Sequence, residues 1–536
     1  MSKALRDLGI EIPPEEDTPL VRKLVAVIEQ LVERIHQLEG LPALPKREPA
    51  PSPLKNDSVP PSKQDSGKKS GRKKPKRRKG LKRSKFKDLT INETIILKPE
   101  TIPDDAVLVG YKSFIQQELR LEVTNIRYRR ACYELPDGTT MTTPRPDNLL
   151  GNYGPNLRCY VLQQYYQSQV TQPLIRQQLM ELGVEISTGQ ISRMLTDGHA
   201  QFHQEKADLL PAAREVSKYF QADDTSARHL GKNAHTLHIG NEFFASFFTT
   251  ESKSRVNFLS ILRAPYSDYV FGEEALLYLE YYGLPKKLRE QIAARVAGYT
   301  LYFDDELQWK LQLNRWKIVD ADHRRLLTEA ALWGSLIEHQ LYQEQPMLSD
   351  DAGQFKLLGF AHGLCWLHAE RHVARLIPLS KREQRAYDTA RDAIWNYYQQ
   401  LKKYREAPTE KKRRKLESTF DKLFLGKTGW EELNSAMRKI HSKKDELLLV
   451  LEYPDLPLHN NLSENDIRQF AKIRKISGST RSASGLRARD TFISLKTTCR
   501  KLGVSFWKFL QDRIYGRNEI ASLGDIIRQK ATPAAA

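Results

Sequence analysis

The chain has 536 residues, and its 85 Lys and Arg outnumber its 66 Asp and Glu, giving a formal net charge of +19. That length allows roughly three or four folded units of ~100–200 residues, and the charge favours a polyanionic partner such as nucleic acid. No run of eighteen apolar residues, apolar leader or lipidation motif is present, and the four cysteines (Cys132, Cys159, Cys365, Cys499) form no CxxC pair. These features exclude a membrane-spanning reading, a disulfide framework and a cysteine-rich zinc module, and they lead to an expectation of a soluble, cytoplasmic protein with reduced thiols.

The first apolar pattern, Val21, Leu24, Ile28, Leu31, Ile35 and Leu38, alternates three- and four-residue steps and predicts a coiled-coil-like helix over 1–40, with a helix packed on its own domain as the alternative. Residues 41–88 form a Pro-, Ser- and Lys-rich linker, expected to be disordered. Between Lys63 and Lys87 it carries fourteen Lys and Arg against Asp65 alone, with the densest run at Arg72, Lys73, Lys74, Lys76, Arg77, Arg78 and Lys79. Such a segment binds phosphates by counterion release, without reading bases, unless it is merely solvated.

Residues 89–156 predict a small β-rich module, with strands at 95–97, 106–109 and 119–123 and a turn at Pro136-Asp137-Gly138. Residues 157–210 predict a helix-turn-helix. One helix covers 171–182, Gly183 breaks it, and Ser187 caps a second helix that offers Gln190 and Arg193 to a major groove. Plain packing of two helices is the alternative.

From 211 to 515 the pattern predicts an α/β catalytic domain, followed by a C-terminal tail over 516–536. A short strand runs into Asp223 and Asp224. The stretch His235 to Thr250, interrupted by a Gly-Asn turn, and the stretch Arg255 to Arg263 then supply further antiparallel strands, which is how a ribonuclease-H-like sheet opens. A fourth strand over 345–348 ends at Asp350, and a fifth over 362–366 leads into a helix near His368. Helical insertions are expected at about 266–345 and 370–452. Glu464 falls in the first turn of a helix capped by Asn461 or Ser463. Asp223, Asp350 and Glu464 would then gather three carboxylates. Their mutual repulsion calls for cations, and two Mg²⁺ ions would activate an attacking oxygen and stabilise a leaving one in phosphoryl transfer.

The stretch Leu458-His459-Asn460-Asn461-Leu462-Ser463-Glu464-Asn465-Asp466-Ile467-Arg468, continuing through Arg474-Lys475-Ile476-Ser477-Gly478, resembles the C-terminal signature of transposases of the insertion sequence 66 family. Gln221-Ala222-Asp223-Asp224-Thr225 is similar to its first acidic motif. Ser349-Asp350-Asp351-Ala352-Gly353-Gln354-Phe355, followed by Cys365-Trp366-Leu367-His368-Ala369-Glu370-Arg371, is similar to its second. The resemblance implies a transposase that cuts and joins double-stranded DNA at mobile-element ends and target. It implies an Asp223-Asp350-Glu464 triad on a ribonuclease-H-like core, two Mg²⁺ ions for which Mn²⁺ would substitute, a homo-oligomer, element-encoded accessory proteins and a place at the nucleoid of a prokaryote. It also puts His368 near the active site. Cys365 and His368 alone are too few ligands for zinc.

Beyond Glu464, the residues Arg468, Lys472, Arg474, Lys475, Arg481, Arg487 and Arg489 alternate with Gly and Ser in a way suited to phosphate contacts. The family's cysteine-rich module is missing after the zipper-like helix. Two rival functions stay open: a DNA-binding accessory protein without chemistry, and a metal-dependent nuclease of the same fold.

Overall fold

The computed structural model describes residues 89–145, 151–342 and 344–531. The coiled-coil expectation, the linker and its basic residues from Arg72 to Lys79 lie outside them. The chain divides into two units, Met1–Glu122 and Val123–Ala536. In the first, the described residues 89–122 form no strand. The strands expected at 95–97, 106–109 and 119–123 are therefore absent. Val107 and Leu108 are exposed and Val109 is 99 % exposed. β-branched residues favour a strand only where a neighbouring strand takes up their backbone groups and a packed face takes up their side chains.

The second unit begins with a hairpin, β1 (Cys132–Glu134) and β2 (Thr140–Thr142), around the Asp137-Gly138 turn. The helices α1 (Pro155–Leu162), α2 (Gln172–Glu181), α3 (Thr188–Thr196) and α4 (Ala200–Val216) follow. Gly183 at φ +86° separates α2 from α3, and the Ser187 hydroxyl accepts the Gln190 N–H at 3.1 Å to cap α3. Ile175, Leu179, Ile191 and Leu195 are buried between these helices.

Then come β3 (Phe220–His229), β4 (Lys232–Gly240) and β5 (Ala245–Thr250), antiparallel neighbours in sequence and in space. Gly240 stands where a Cβ would meet the Phe244 carbonyl, so the β4–β5 turn closes tightly there. The expected strand over Arg255–Arg263 is instead helix α5 (Arg255–Leu262). Ser254 accepts the Asn257 N–H and caps it, while Phe258, Leu259 and Leu262 bury one helical face.

The first insertion contains β6 (Tyr269–Phe271), α6 (Glu273–Tyr281), α7 (Lys286–Val296), β7 (Leu301–Phe303), α8 (Glu306–Arg315) and α9 (Ala321–Glu338). β6 and β7 pair antiparallel as a separate ribbon, and the apolar residues here join the core of the main sheet. The chain returns as β8 (Met347–Ser349) and β9 (His362–Leu364), both parallel to β3. The second insertion is helical: α10 (Trp366–Ala374), α11 (Lys381–Glu406), α12 (Glu410–Phe424), α13 (Glu431–His441) and α14 (Lys444–Leu447). It packs a core of its own around Trp366, Tyr397, Phe420 and Phe424. Four helices end the described chain: α15 (Asn461–Ser477), α16 (Ala483–Leu502), α17 (Phe506–Ile514) and α18 (Leu523–Ala531).

The fold is mixed α/β. Its central sheet has the order β5-β4-β3-β8-β9, three antiparallel strands continued by two parallel ones. An edge strand leaves half its backbone groups without a strand partner. Along β5, α16 supplies them from one face at four-residue spacing. Asp490 accepts the Thr249 N–H, Ser494 the Phe247 N–H, and Thr498 both accepts the Ala245 N–H and donates to its carbonyl.

Candidate active site

The parallel register fixes where the first two acids stand. Gln221 pairs with Leu348; two residues on, Asp223 lies within β3 and Asp350 just beyond the end of β8. Residues two apart in a strand share a face, and directly paired residues in neighbouring strands share it too. Asp223 therefore lies on the face of Gln221 and of its β4 partner His238, and that face carries α15.

A set of buried polar bonds seats α15. Asn460 donates from its side chain to the Ala222 carbonyl at 2.9 Å, and its backbone N–H lies 3.4 Å from Cys365 Sγ. The Ser463 N–H reaches Gln221 Oε1 at 3.3 Å, and the Ser463 hydroxyl lies 3.0 Å from His238 Nδ1. One turn on, Asp466 lies 3.3 Å from His238 Nε2, 2.6 Å from Lys501 and 3.0 Å from Arg500. Burial opposes ionisation of Asp466, yet the His238 hydrogen bond and the Lys501 ammonium outweigh it and bring its pKa down to about 2. Phe470 then stacks on Phe247, with ring centroids 5.7 Å apart. Neither Asn461 nor Ser463 caps the helix. Asn460 occupies the cap position, and its side chain is spent on β3 instead.

This seating puts Glu464, in the first turn of α15, within electrostatic reach of Asp223. Burial pushes the Asp223 carboxyl up to about 7; a hydrogen bond from the Asp224 N–H opposes the rise, and the charges of Asp350, Asp224 and Glu464 add to it. The structure thus brings Asp223, Asp350 and Glu464 into one electrostatic cluster. Their sequence neighbours are held by other groups. Asp224 accepts from Gln354 and lies 3.8 Å from Lys253. Asp351 pairs with Lys356 and with Lys443, the latter at 3.4 Å.

His368 belongs to the same place. Burial and Arg371 lower its pKa, against the opposing pull of Glu464 and Asp350. The Cys365 N–H bonds to the Ser349 carbonyl, which sets the Cys-x-x-His turn directly behind Asp350. Cys365, His368 and Glu464 each offer a ligand atom, all within 4.8 Å of one another. Sequence spacing did not assemble this set, because one member comes from a distant helix.

The basic residues divide. Arg468 lies 3.3 Å from Glu464 Oε2 and is largely exposed, as are Lys472, Lys475 and Arg481. Arg474 is tied to Ser226 through its backbone carbonyl and, at 2.8 Å, its hydroxyl. Arg489, expected to reach phosphate, is only 5 % exposed and lies over the Phe470 ring at 4.9 Å, since it falls on the inner face of α16. On α3, Arg193 is exposed and donates to Gln190 Oε1 at 2.7 Å.

The model of the transposase IS66 family matches residues 334–488, which contain Asp350, Cys365, His368 and Glu464. An uncharacterized protein of Sinorhizobium fredii, y4jO, is 40 % identical over 328 residues, 60 % of this chain and all of that protein. The chain belongs to the transposase IS66 family. Asp223 lies outside the matched segment, and the register of β3 and β8 together with the bonds from α15 to β3 brings it to Asp350 and Glu464. Among the described residues of this IS66-family chain, no helix is long and apolar enough to cross a membrane.

Proposed function

We propose that the chain is a DNA transposase whose Asp223, Asp350 and Glu464 perform metal-dependent strand cleavage and strand transfer at mobile-element ends. The observation that carries this is that the charges of Asp350 and Glu464 both act on the buried carboxyl of Asp223, from the loop after β8 and from the first turn of α15. The strand order, three antiparallel strands continued by two parallel ones, supports the ribonuclease-H-like reading of the core.

The donor set suits hard divalent cations. Glu464 Oε1 is buried with no hydrogen-bond partner, and Asp223 ionises reluctantly without a counter-charge. Asp223, Asp350 and Glu464 would hold Mg²⁺, or Mn²⁺ in its place. When bound, such ions supply Lewis acidity for the attacking and leaving oxygens of an in-line displacement. The protein's own contribution is placement. Asn460, Ser463 and His238 fix the start of α15 so that Glu464 faces the strand ends, and Arg468 and Lys472 on the exposed side of the same helix offer cations to DNA phosphates. Double-stranded DNA, further gripped by Gln190, Arg193 and the basic segment 63–87, is the partner. A second copy joined through residues 21–38 and element-encoded accessory proteins complete the proposed assembly.

The test compares the wild-type chain with Asp223→Asn, Asp350→Asn and Glu464→Gln on duplexes carrying candidate element ends, with Mg²⁺ present. Cleavage should be lost in each variant while DNA binding and circular dichroism are retained. Cleavage that survives Glu464→Gln would overturn the catalytic reading and favour a DNA-binding accessory protein. Cleavage without joining would leave a nuclease.

A further inference from the structure

A second donor set, of different chemistry, shares the pocket. Cys365 stands at the N-cap of α10, His368 within the first turn of that helix, and Glu464 arrives from α15. The thiol sulfur, a ring nitrogen and a carboxylate oxygen lie within 4.8 Å of one another. Two of these side chains hold buried atoms without a hydrogen-bond partner, His368 Nδ1 and Glu464 Oε1. An unpaired buried polar atom carries a desolvation cost, which a bound ligand at that atom would relieve.

A thiol, an imidazole and a carboxylate are a poor match for Mg²⁺, which takes oxygen donors in octahedral geometry. They match Zn²⁺, which takes sulfur, nitrogen and oxygen in a tetrahedron. With metal–ligand bonds of about 2.0–2.3 Å, tetrahedral ligand atoms lie roughly 3.3–3.8 Å apart. Side-chain rotations that shift these atoms by about an ångström would therefore close the site.

We propose that Cys365, His368 and Glu464 form a binding site for a thiophilic divalent cation of the Zn²⁺ class, with a fourth position open to water. Binding forms a metal–sulfur bond as the Cys365 thiol gives up its proton to solvent. Occupancy withdraws Glu464 from Asp223 and Asp350, so that Zn²⁺ arrests DNA cleavage. This consequence, unlike the binding itself, rests on the catalytic role proposed for Glu464.

The full chain, stripped of metal, is titrated with Co²⁺ as a spectroscopic probe. One equivalent should produce a near-ultraviolet thiolate-to-cobalt band that Zn²⁺ abolishes by displacement. The band should vanish in Cys365→Ser and in His368→Gln, and persist in Cys132→Ser, which removes the exposed thiol of the β1–β2 hairpin, and in Asp223→Asn. Circular dichroism identifies any variant that fails to fold, and where Cys365→Ser does not fold, loss of the band in folded His368→Gln supports the site and an unchanged band there overturns it. No band in the wild type, or a band unchanged in folded Cys365→Ser, overturns the proposal. In Mg²⁺-supported cleavage by the wild type, Zn²⁺ should inhibit over the range in which it displaces Co²⁺, and full activity with the site saturated overturns the arrest. A site-specific band in a chain with no Mg²⁺-dependent cleavage supports the metal site and refutes the catalytic reading, so the two failures are distinguishable.

Discussion

Without metal, the carboxylate cluster should destabilise the protein, and Asp223→Asn measures by how much. The folded state holds the Asp223 proton up to about pH 7, whereas an unfolded chain releases it near 3.8. Below 3.8 both states are protonated and the group contributes nothing. Between about 3.8 and 7 the unfolded chain gives up this proton while the folded state keeps it, so stability falls across that window and the full cost is present above 7. About three pH units at ~1.4 kcal/mol each set a ceiling near 4 kcal/mol, and the partial exposure of this carboxylate halves that to about 2 kcal/mol. Asparagine keeps the shape without the charge. In EDTA, urea unfolding of Asp223→Asn should show a stability close to wild type at pH 4 and about 2 kcal/mol higher at pH 8. Adding Mg²⁺ at pH 8 should stabilise the wild type more than the variant, because binding to the folded state alone adds free energy by mass action. A variant less stable than wild type at pH 8, or a difference that does not grow between pH 4 and pH 8, would refute the account of the site's electrostatics.

Asp466→Asn removes the anion that Lys501 and His238 share. With both side chains of the Asp466–Lys501 pair under a tenth exposed, a loss of about 3–5 kcal/mol at pH 7 is expected from urea unfolding. Because the folded pKa of Asp466 is depressed to about 2, its contribution is present above pH 3.8 and is lost as pH falls through 2, so the variant and wild type should converge in acid. Gly334→Ala drives a methyl group into the Val270 carbonyl where α9 crosses β6, and thermal unfolding should register a loss of about 3 kcal/mol. Deleting residues 63–87 should flatten the salt dependence of non-specific DNA binding, each lost phosphate contact lowering the slope by about 0.9; an unchanged slope by fluorescence titration would move that binding surface to the folded domains.

Much of the site was legible because its elements announce themselves locally. Asp350 follows a short apolar strand as expected, β8 ending at Ser349 immediately before it, whereas the strand expected to stop at Asp223 and Asp224 runs on through them to His229, because β4 pairs with it along that whole length. The helices flanking Gly183 also form, and Ser187 caps the second as its position suggested. Other elements depended on partners that a linear pattern does not name. Residues 255–262 carry apolar side chains whose spacing suits either period, and the Ser254 cap decides for helix. Residues 95–123 have strand-forming composition but no paired neighbour among the described residues. The cap expected from Asn461 or Ser463 is not made; Asn460 holds that position, and its role is tertiary, a bond to the Ala222 carbonyl. One available signal went unused. Asp490, Ser494 and Thr498 recur at four-residue spacing along a buried helix, and a polar stripe on such a face implies backbone groups to satisfy, here those of β5.

The long sequence separation of the acids is compatible with precise placement because the two insertions are stabilised in different ways. The first leaves after α5 and returns at β8, and its side chains enlarge the core beneath the main sheet, so ordering it also orders β8 against β3. The second leaves from α10 and carries a largely separate aromatic core, which meets the sheet at Leu364 on its edge strand β9. Contacts tie it back beside the cluster: the Trp366 N–H bonds to the Leu458 carbonyl, the Asn460 N–H reaches Cys365 Sγ, and Lys443 pairs with Asp351. Closing a longer loop costs only slowly more entropy, about 0.6 kcal/mol per doubling of length. Insertions of this size can therefore enter between the acids at small cost, provided that the strand register and the polar seat of α15 are kept. Those two features, rather than the spacing between motifs, hold the geometry on which the proposed chemistry depends.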